Sequence, residues 1–275
     1  MQVRIIDGTA ASTLMEPLTA LVVKAGEVIL AVNRAAMRVD GKQDGSPVTE
    51  ADLAADRIIA EGLVQLAGDV PSLSEERTEL ACPPFRDSFF LIDPLDGTKE
   101  FVAGRDEFTV NLAIVTCGVP LLGIVSAPAL GLLWRGIVGQ GAECVTFDGA
   151  TMGAAKPIHT RKLPKPGEPW IAAVSRSHGD PKSEAFIESR PNAVRRMVGS
   201  AVKFGRIAEG SADIYPRFGP TCEWDVGAGC AVVTAAGGRV TDGQGGELRF
   251  GERRDTGFII PEFIAWGDPQ AVGTH

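Results

Sequence analysis

The chain has no apolar run approaching the roughly 20 residues that a membrane-spanning helix needs. Met1–Ala11 carries charges and lacks an apolar core, which reads against a secretory signal. Cysteine is scarce and odd in number: Cys82, Cys117, Cys144, Cys222 and Cys230 contain no Cys-x-x-Cys pair. A disulfide framework or a structural zinc site is therefore not expected, and a reducing cytoplasm is the default setting. The three histidines, His159, His178 and His275, form no zinc-ligand spacing. Positive charge is short as well. The formal net charge is −8, no Lys/Arg-rich stretch offsets it, and Arg249, Arg253 and Arg254 are too sparse to make a binding patch. Such a chain is a poor nonspecific ligand for a nucleic-acid polymer. An anionic substrate would have to be attracted by something other than overall charge, and clustered divalent metals would serve.

What is present suffices for a large core. The 275 residues, 44% of them hydrophobic, make one large domain or two smaller ones sharing an interface. The four prolines of the 157–169 segment mark a crossover, so the expected halves are 1–155 and 156–275. Neither an internal repeat nor a low-complexity segment is seen. Apolar spacing predicts a long amphipathic helix from Leu14 to Val39, then a loop over Asp40–Pro47. Thr49 reads as the N-cap of a second helix reaching about Ala67, with Asp52 as its capping-box acid. Strands are expected over 89–92, 109–116, 121–127, 132–138 and 143–147. The second half alternates: strands near 170–175, 194–197, 212–215 and 238–241, helices over 181–189, 200–209 and 225–236.

The most informative stretch is Phe89-Phe90-Leu91-Ile92-Asp93-Pro94-Leu95-Asp96-Gly97-Thr98. A fully apolar strand ends in two aspartates three residues apart on a tight turn, where like charges repel unless a cation lies between them. Oxygen-only ligands suit a hard cation such as Mg2+. Three further segments offer acids: Asp52 at a helix start, Glu75-Glu76 after Ser72-Leu73-Ser74, and Asp225 in Cys222-Glu223-Trp224-Asp225. Taken singly, Asp52 and Asp225 read as helix-start acids complementing the macrodipole, and Glu75-Glu76 as solvated surface charge. Spacing alone does not bring them together.

Taken in order, Ser74-Glu75-Glu76, the Asp-Pro-Leu-Asp-Gly-Thr of 93–98 and Trp224-Asp225 with Ala235-Ala236-Gly237-Gly238 resemble the paired signatures of the inositol monophosphatase superfamily. The likeness runs from Val22 to about Phe250. It implies an α+β fold, a layered αβαβα sandwich of the inositol monophosphatase and fructose bisphosphatase type. A largely antiparallel sheet would lie in the first half, a smaller mixed sheet in the second, and the active site at their junction. It also implies a phosphoric monoester hydrolase dependent on Mg2+, two or three ions per site, with Mn2+ as a substitute and Li+ as inhibitor. Carried over residue by residue, the metal ligands would be Glu75, Asp93, the carbonyl of Leu95, Asp96 and Asp225. Thr98 would hold the attacking water, oriented by Asp52, with Glu75 beside them in catalysis. The amides of Gly97 and Thr98 would cradle phosphate oxygens.

Within the superfamily the nearest likeness is to the CysQ branch, the 3′(2′),5′-bisphosphate nucleotidases of sulfur metabolism. Lys99-Glu100-Phe101, Asp44–Asp52, Ser175-Arg176-Ser177-His178, Gly199–Phe204, Ala208-Glu209-Gly210 and Tyr215–Thr221 carry it. The implied reaction is removal of the 3′-phosphate of adenosine 3′,5′-bisphosphate to give AMP, with the sulfated precursor as a further substrate. The alternative is the same chemistry on inositol monophosphate or fructose 1,6-bisphosphate; a rival of another class is a phosphate-binding protein without turnover. A bisphosphate needs cations for its second phosphate, and Lys203 and Arg217 are the candidates. Ser200 would either donate to a phosphate oxygen or cap the 200–209 helix. Ser175, His178 and Gly199 complete the substrate-facing set, with His178 reading equally as a bystander and Lys203 as a snorkelling lysine. Monomer and dimer both stay open, as does loose attachment to the inner face of a bacterial membrane.

Overall fold

The computed structural model describes residues 5–34, 36–41, 47–80, 85, 87–176, 179–252 and 257–273. Helix α1 (Gly8–Ala31) starts at Asp7, whose carboxylate accepts from the Ala10 amide at 2.8 Å. The short pair β1 (Val39–Gly41) and β2 (Pro47–Thr49) leads into α2 (Glu50–Ala67). A sheet follows from β3 (Ser72–Ser74), β4 (Ser88–Asp96), β5 (Thr109–Thr116), β6 (Val119–Ala127), β7 (Leu132–Ile137), β8 (Gly141–Asp148), β9 (Thr151–Met152) and β10 (Lys156–Ile158). Its order is β10-β8-β7-β6-β5-β4-β3, antiparallel except for the β3–β4 pair, with β9 folded back on β8. The short helix α3 (Thr98–Val102) sits between β4 and β5.

The sheet is buried on both faces, which explains why β4 is apolar from Phe89 to Ile92. Phe90 and Ile92 join a core with α1 (Leu18, Val22, Ile29) and α2 (Ala55, Ile59). Phe89 and Leu91 face a second core, built with helices that come later in the chain. The second sheet combines β11 (Ile171–Val174), β12 (Val194–Met197), β13 (Ile214–Arg217), β15 (Arg239–Thr241) and β17 (Phe263–Trp266), in the order β12-β11-β13-β17-β15 with mixed directions. Helix α4 (Pro181–Glu188) covers its outer side through Ile187. Between the sheets lie α5 (Val202–Ala208) and α6 (Glu223–Ala235), the latter preceded by β14 (Thr221–Cys222), which pairs with β16 (Ile259–Ile260). The result is the expected α+β sandwich of layers α1/α2, sheet, α5/α6, sheet, α4. Beyond residue 155, β10 joins the first sheet, and α6 packs on β5 and β6.

Helix α6 rests almost directly on backbone. A Cβ added at Gly123 of β6 would come within 2.1 Å of the Ala228 carbonyl oxygen, and one at Gly136 of β7 within 2.7 Å of the Ala235 Cβ. These two glycines let the helix approach the sheet closely.

Three expectations are corrected. The first helix runs Gly8–Ala31, not 14–39: Val32 is already extended, and Val39 begins β1. The helix expected from Ser200 starts at Val202, because Ser200 has a left-handed φ of 51° and its side chain does not cap it. Finally, β17 had no predicted counterpart, although it lies inside the second sheet between β13 and β15.

Candidate active site

One cleft of about 210 Å³ at the junction of the two sheets gathers nearly every residue singled out from the sequence. Glu75, Asp93, Leu95, Asp96, Gly97, Thr98, Ser175, Gly199, Ser200, Lys203, Arg217 and Asp225 all line it. Asp52 stands directly behind Thr98, and His178 lies outside the described residues, as do Asp44–Ser46 and Ser177.

The first wall is set by α2. Thr49 and Asp52 form the expected capping box. Asp52 Oδ2 accepts from the Thr49 amide at 2.8 Å and from its hydroxyl at 2.6 Å. That leaves Oδ1 facing the Thr98 hydroxyl at 3.0 Å. The same hydroxyl lies 3.1 Å from the Leu95 carbonyl oxygen, but its single proton serves one acceptor at a time.

The floor is the end of β4. Pairing with β5 shifts register between Asp93 and Asp96, a bulge that re-aims the two aspartates. Gly97 follows at φ 87°, a left-handed position, and a Cβ there would sit 3.3 Å from the Ser200 Cβ. Asp93 is fully buried; Oδ1 accepts from the Leu95 amide at 3.1 Å, whereas Oδ2 has no partner among the described residues. Asp225, in the first turn of α6, is held by the Thr221 hydroxyl and by the Cys222 amide at 3.1 Å. One carboxylate oxygen each from Glu75, Asp93 and Asp225 come within 4.8 Å of one another. Burial, reinforced by the charges of Glu75, Asp96, Asp225 and Asp52, pushes the Asp93 carboxyl well above the usual range. Burial and Asp96 push Asp225 up to about 6.

The opposite wall comes from the second half. Asp96 stands beside the trio, its Oδ2 accepting from the Ser200 hydroxyl at 2.5 Å and the Ala201 amide at 2.7 Å. Lys203 is buried and donates to the Ser200 carbonyl at 2.6 Å, with its ammonium 5.1 Å from the Tyr215 ring centroid. Desolvation brings its pKa down to about 8, and the charge of Arg217 adds to the lowering. Arg217 donates to the Pro220 carbonyl at 3.2 Å, and its buried Nε has no partner among the described residues. Two cations thus face a cleft whose far side is lined with carboxylates.

The inositol monophosphatase family model matches residues 11–262. The chain belongs to the inositol monophosphatase family. It is 39% identical to the 3′(2′),5′-bisphosphate nucleotidase CysQ of Salmonella typhimurium, over 91% of this chain and 98% of the relative. It is 38% identical to the enzyme of the same name from Escherichia coli K12, with the same coverage. Among solved structures, CysQ from Bacteroides thetaiotaomicron superposes with a TM-score of 0.74 at 31% identity, covering 93% of this chain and 97% of that one. Enzymes of this family are Mg2+-dependent and inhibited by Li+.

The residues here fit a hard divalent cation. The donor set is all oxygen, and the buried Asp93 Oδ2 lacks any other partner among the described residues. Clustered carboxylates that hold each other's pKa high are what a cation would relieve.

Several contributors were not foreseen. Thr109 meets the Ser200 hydroxyl at 2.6 Å, Thr221 orients Asp225, and Tyr215 underlies Lys203. Glu107 accepts from the Gly199 amide at 3.0 Å and from Arg176 at 2.9 Å, binding the loops that carry Arg176 and Gly199 together. Tyr215 and Thr221 lie in the Tyr215–Thr221 stretch that carries the CysQ likeness, but their residue types gave them no role; Thr109 and Glu107 belong to no motif.

Proposed function

We propose that the chain is a phosphatase that uses Mg2+ to remove the 3′-phosphate of adenosine 3′,5′-bisphosphate, yielding AMP and inorganic phosphate, with the sulfated precursor as a further substrate. The observation that carries this reading is the pairing, in one cleft, of the Glu75/Asp93/Asp225 trio with the Lys203/Arg217 cations. The names of the relatives at 38–39% identity support the same substrate class.

Glu75, Asp93 and Asp225 would hold one ion, and Asp96 with the Leu95 carbonyl would extend the set to two or three, with Mn2+ able to substitute. When bound, Mg2+ supplies a lowered pKa for its water and charge stabilisation for the leaving oxygen. The chain's own part is positional. Asp52, locked by Thr49, accepts the hydrogen bond of the Thr98 hydroxyl, so a lone pair of the Thr98 oxygen is left to accept from the attacking water. Glu75, which lines the same cleft, would share in receiving the water's proton. The Gly97 and Thr98 amides would cradle the scissile phosphate. Ser200 donates its hydroxyl to Asp96, and Ser175 and Gly199 line the cleft beside it.

The second phosphate would rest between Lys203 and Arg217. Lys203 uses two of its three protons on the Ser200 and Val198 carbonyls, which leaves one to point at an anion. The test is phosphate release with Mg2+ from adenosine 3′,5′-bisphosphate, inositol 1-phosphate and fructose 1,6-bisphosphate in parallel. A kcat/KM at least about tenfold higher for the nucleotide, or roughly 1.4 kcal/mol, is expected. A preference for a sugar ester would keep the metal chemistry and reject the substrate; no release from any would leave a phosphate-binding protein.

A further inference from the structure

Asp52 and Asp56 lie four residues apart on α2 and so project from the same face of the helix. The first reaches Thr98. The second, 6% exposed, reaches the segment that carries Glu75. Asp56 Oδ1 accepts from the Ser74 hydroxyl at 2.6 Å, and Oδ2 accepts from Arg77 Nε at 2.8 Å. Ser74 ends β3, paired with Ile92 immediately before Asp93. Arg77 breaks the following 3-10 turn, with φ −141° and ψ 35°. One buried carboxylate therefore ties down both sides of Glu75.

We infer that Asp56 is a positioning residue for the Glu75 carboxylate, acting through Ser74 and Arg77. The inference rests on the reading of Glu75 as a metal ligand. Glu75 follows β3 directly and opens the 3-10 turn that breaks at Arg77. The Asp56 tether fixes the chain on either side of it. A terminal nitrogen of Arg77 is buried without a partner among the described residues, so the pairing at Nε is the contact that holds its guanidinium. Without Asp56, a buried hydroxyl and a partly buried cation lose their acceptor, and the segment relaxes toward other partners. Groups that orient a metal ligand from outside typically change metal affinity by about 10–100-fold. Asp56 and Asp52 thus make α2 a single rigid support for two arms of the site, the water-holding hydroxyl and one carboxylate of the trio.

The experiment is calorimetric titration of Mg2+ into the substrate-free, metal-stripped full chain, with melting temperature measured alongside. Wild type is compared with Asp56→Ala, Arg77→Gln, the double variant and Glu75→Gln. Asp56→Ala and Arg77→Gln should each weaken Mg2+ binding by about tenfold or more. The double variant should be no worse than Asp56→Ala, because the two share one tether. At saturating Mg2+ both single variants should recover kcat to within a few fold of wild type. A lower melting temperature with wild-type Mg2+ affinity would show that the tether supports the fold only and would overturn the inference. If Asp56→Ala does not fold, Arg77→Gln decides by the same two outcomes. Wild-type Mg2+ affinity in Glu75→Gln would instead reject Glu75 as a ligand, a result separable from failure of the tether.

Discussion

Asp96 Oδ2 receives the Ser200 hydroxyl at 2.5 Å across 104 residues of sequence. The bond ties the end of β4 to the turn before α5, joining the carboxylate side of the cleft to its cationic side. Ser200 adopts a φ of 51°, which a non-glycine residue holds at some cost. Two terms therefore separate by substitution. Ser200→Ala loses the hydroxyl and keeps the unfavourable backbone, and should lower unfolding free energy by about 1–3 kcal/mol. Ser200→Gly loses the hydroxyl but relieves the backbone, and should cost less. Urea unfolding of the two variants checks the order.

Asp93→Asn should reduce kcat/KM by roughly a thousandfold or more, equivalent to about 4 kcal/mol. The fold should survive. Because the Asp93 carboxyl is raised on folding, its contribution favours the folded state at low pH and is lost as pH rises through its folded value. The metal-free variant should therefore melt at or above the wild-type temperature near neutral pH. Mg2+ should raise the melting temperature of wild type and do so far less for the variant. Retained Mg2+-dependent turnover in folded Asp93→Asn would remove this residue from the metal site.

Thr98→Val should lower kcat by about 10²–10⁴-fold while leaving Mg2+ affinity nearly unchanged, since the hydroxyl donates to Asp52 and, in the proposed mechanism, would hold the attacking water rather than the ion. Thr98→Ser should restore part of the rate. Asp52→Asn should act on the same step, so combining it with Thr98→Val should add little. Steady-state rates over a Mg2+ series separate the rate effect from metal binding.

Lys203 should give a pH signature specific to a bisphosphate. With its pKa brought down to about 8 by burial, the charge that attracts a second phosphate fades as pH rises through that value. KM for adenosine 3′,5′-bisphosphate should climb above about pH 8, while KM for a monophosphate stays flatter. Lys203→Arg keeps its charge and should abolish the climb. Lys203→Ala should raise KM for the bisphosphate far more than for a monophosphate; equal effects on both would reject the assignment.

The site was more legible in the sequence than the fold around it. Asp93, Asp96 and Gly97 stand out because two acids and a left-handed glycine close an apolar strand. Thr49 and Asp52 stand out as a capping box. Element boundaries were less visible. Apolar spacing continues past Ala31, yet Val32 turns extended, a change that periodicity does not register. Four apolar residues, Phe263–Trp266, were too few to announce a strand, and only their place between β13 and β15 makes them one. Ser200 reads by residue type as a helix cap or a phosphate donor, whereas its φ of 51° takes it out of the cap position and its hydroxyl donates to Asp96. The supporting contacts of Thr109, Glu107 and Asp56 arise from tertiary packing, which local sequence does not encode.

The bare backbone at Gly123 and Gly136 sets how deep α6 lies, and Asp225 rides on the first turn of that helix. The spacing between Asp225 and Asp93 is thereby gauged by two missing side chains outside the cleft. A single methyl at either glycine would act as a shim, lifting the helix and widening the gap between carboxylates without touching any of them. The aperture for the cation is adjustable from the far side of the core, where a change would register as altered ion preference before it registered as lost chemistry.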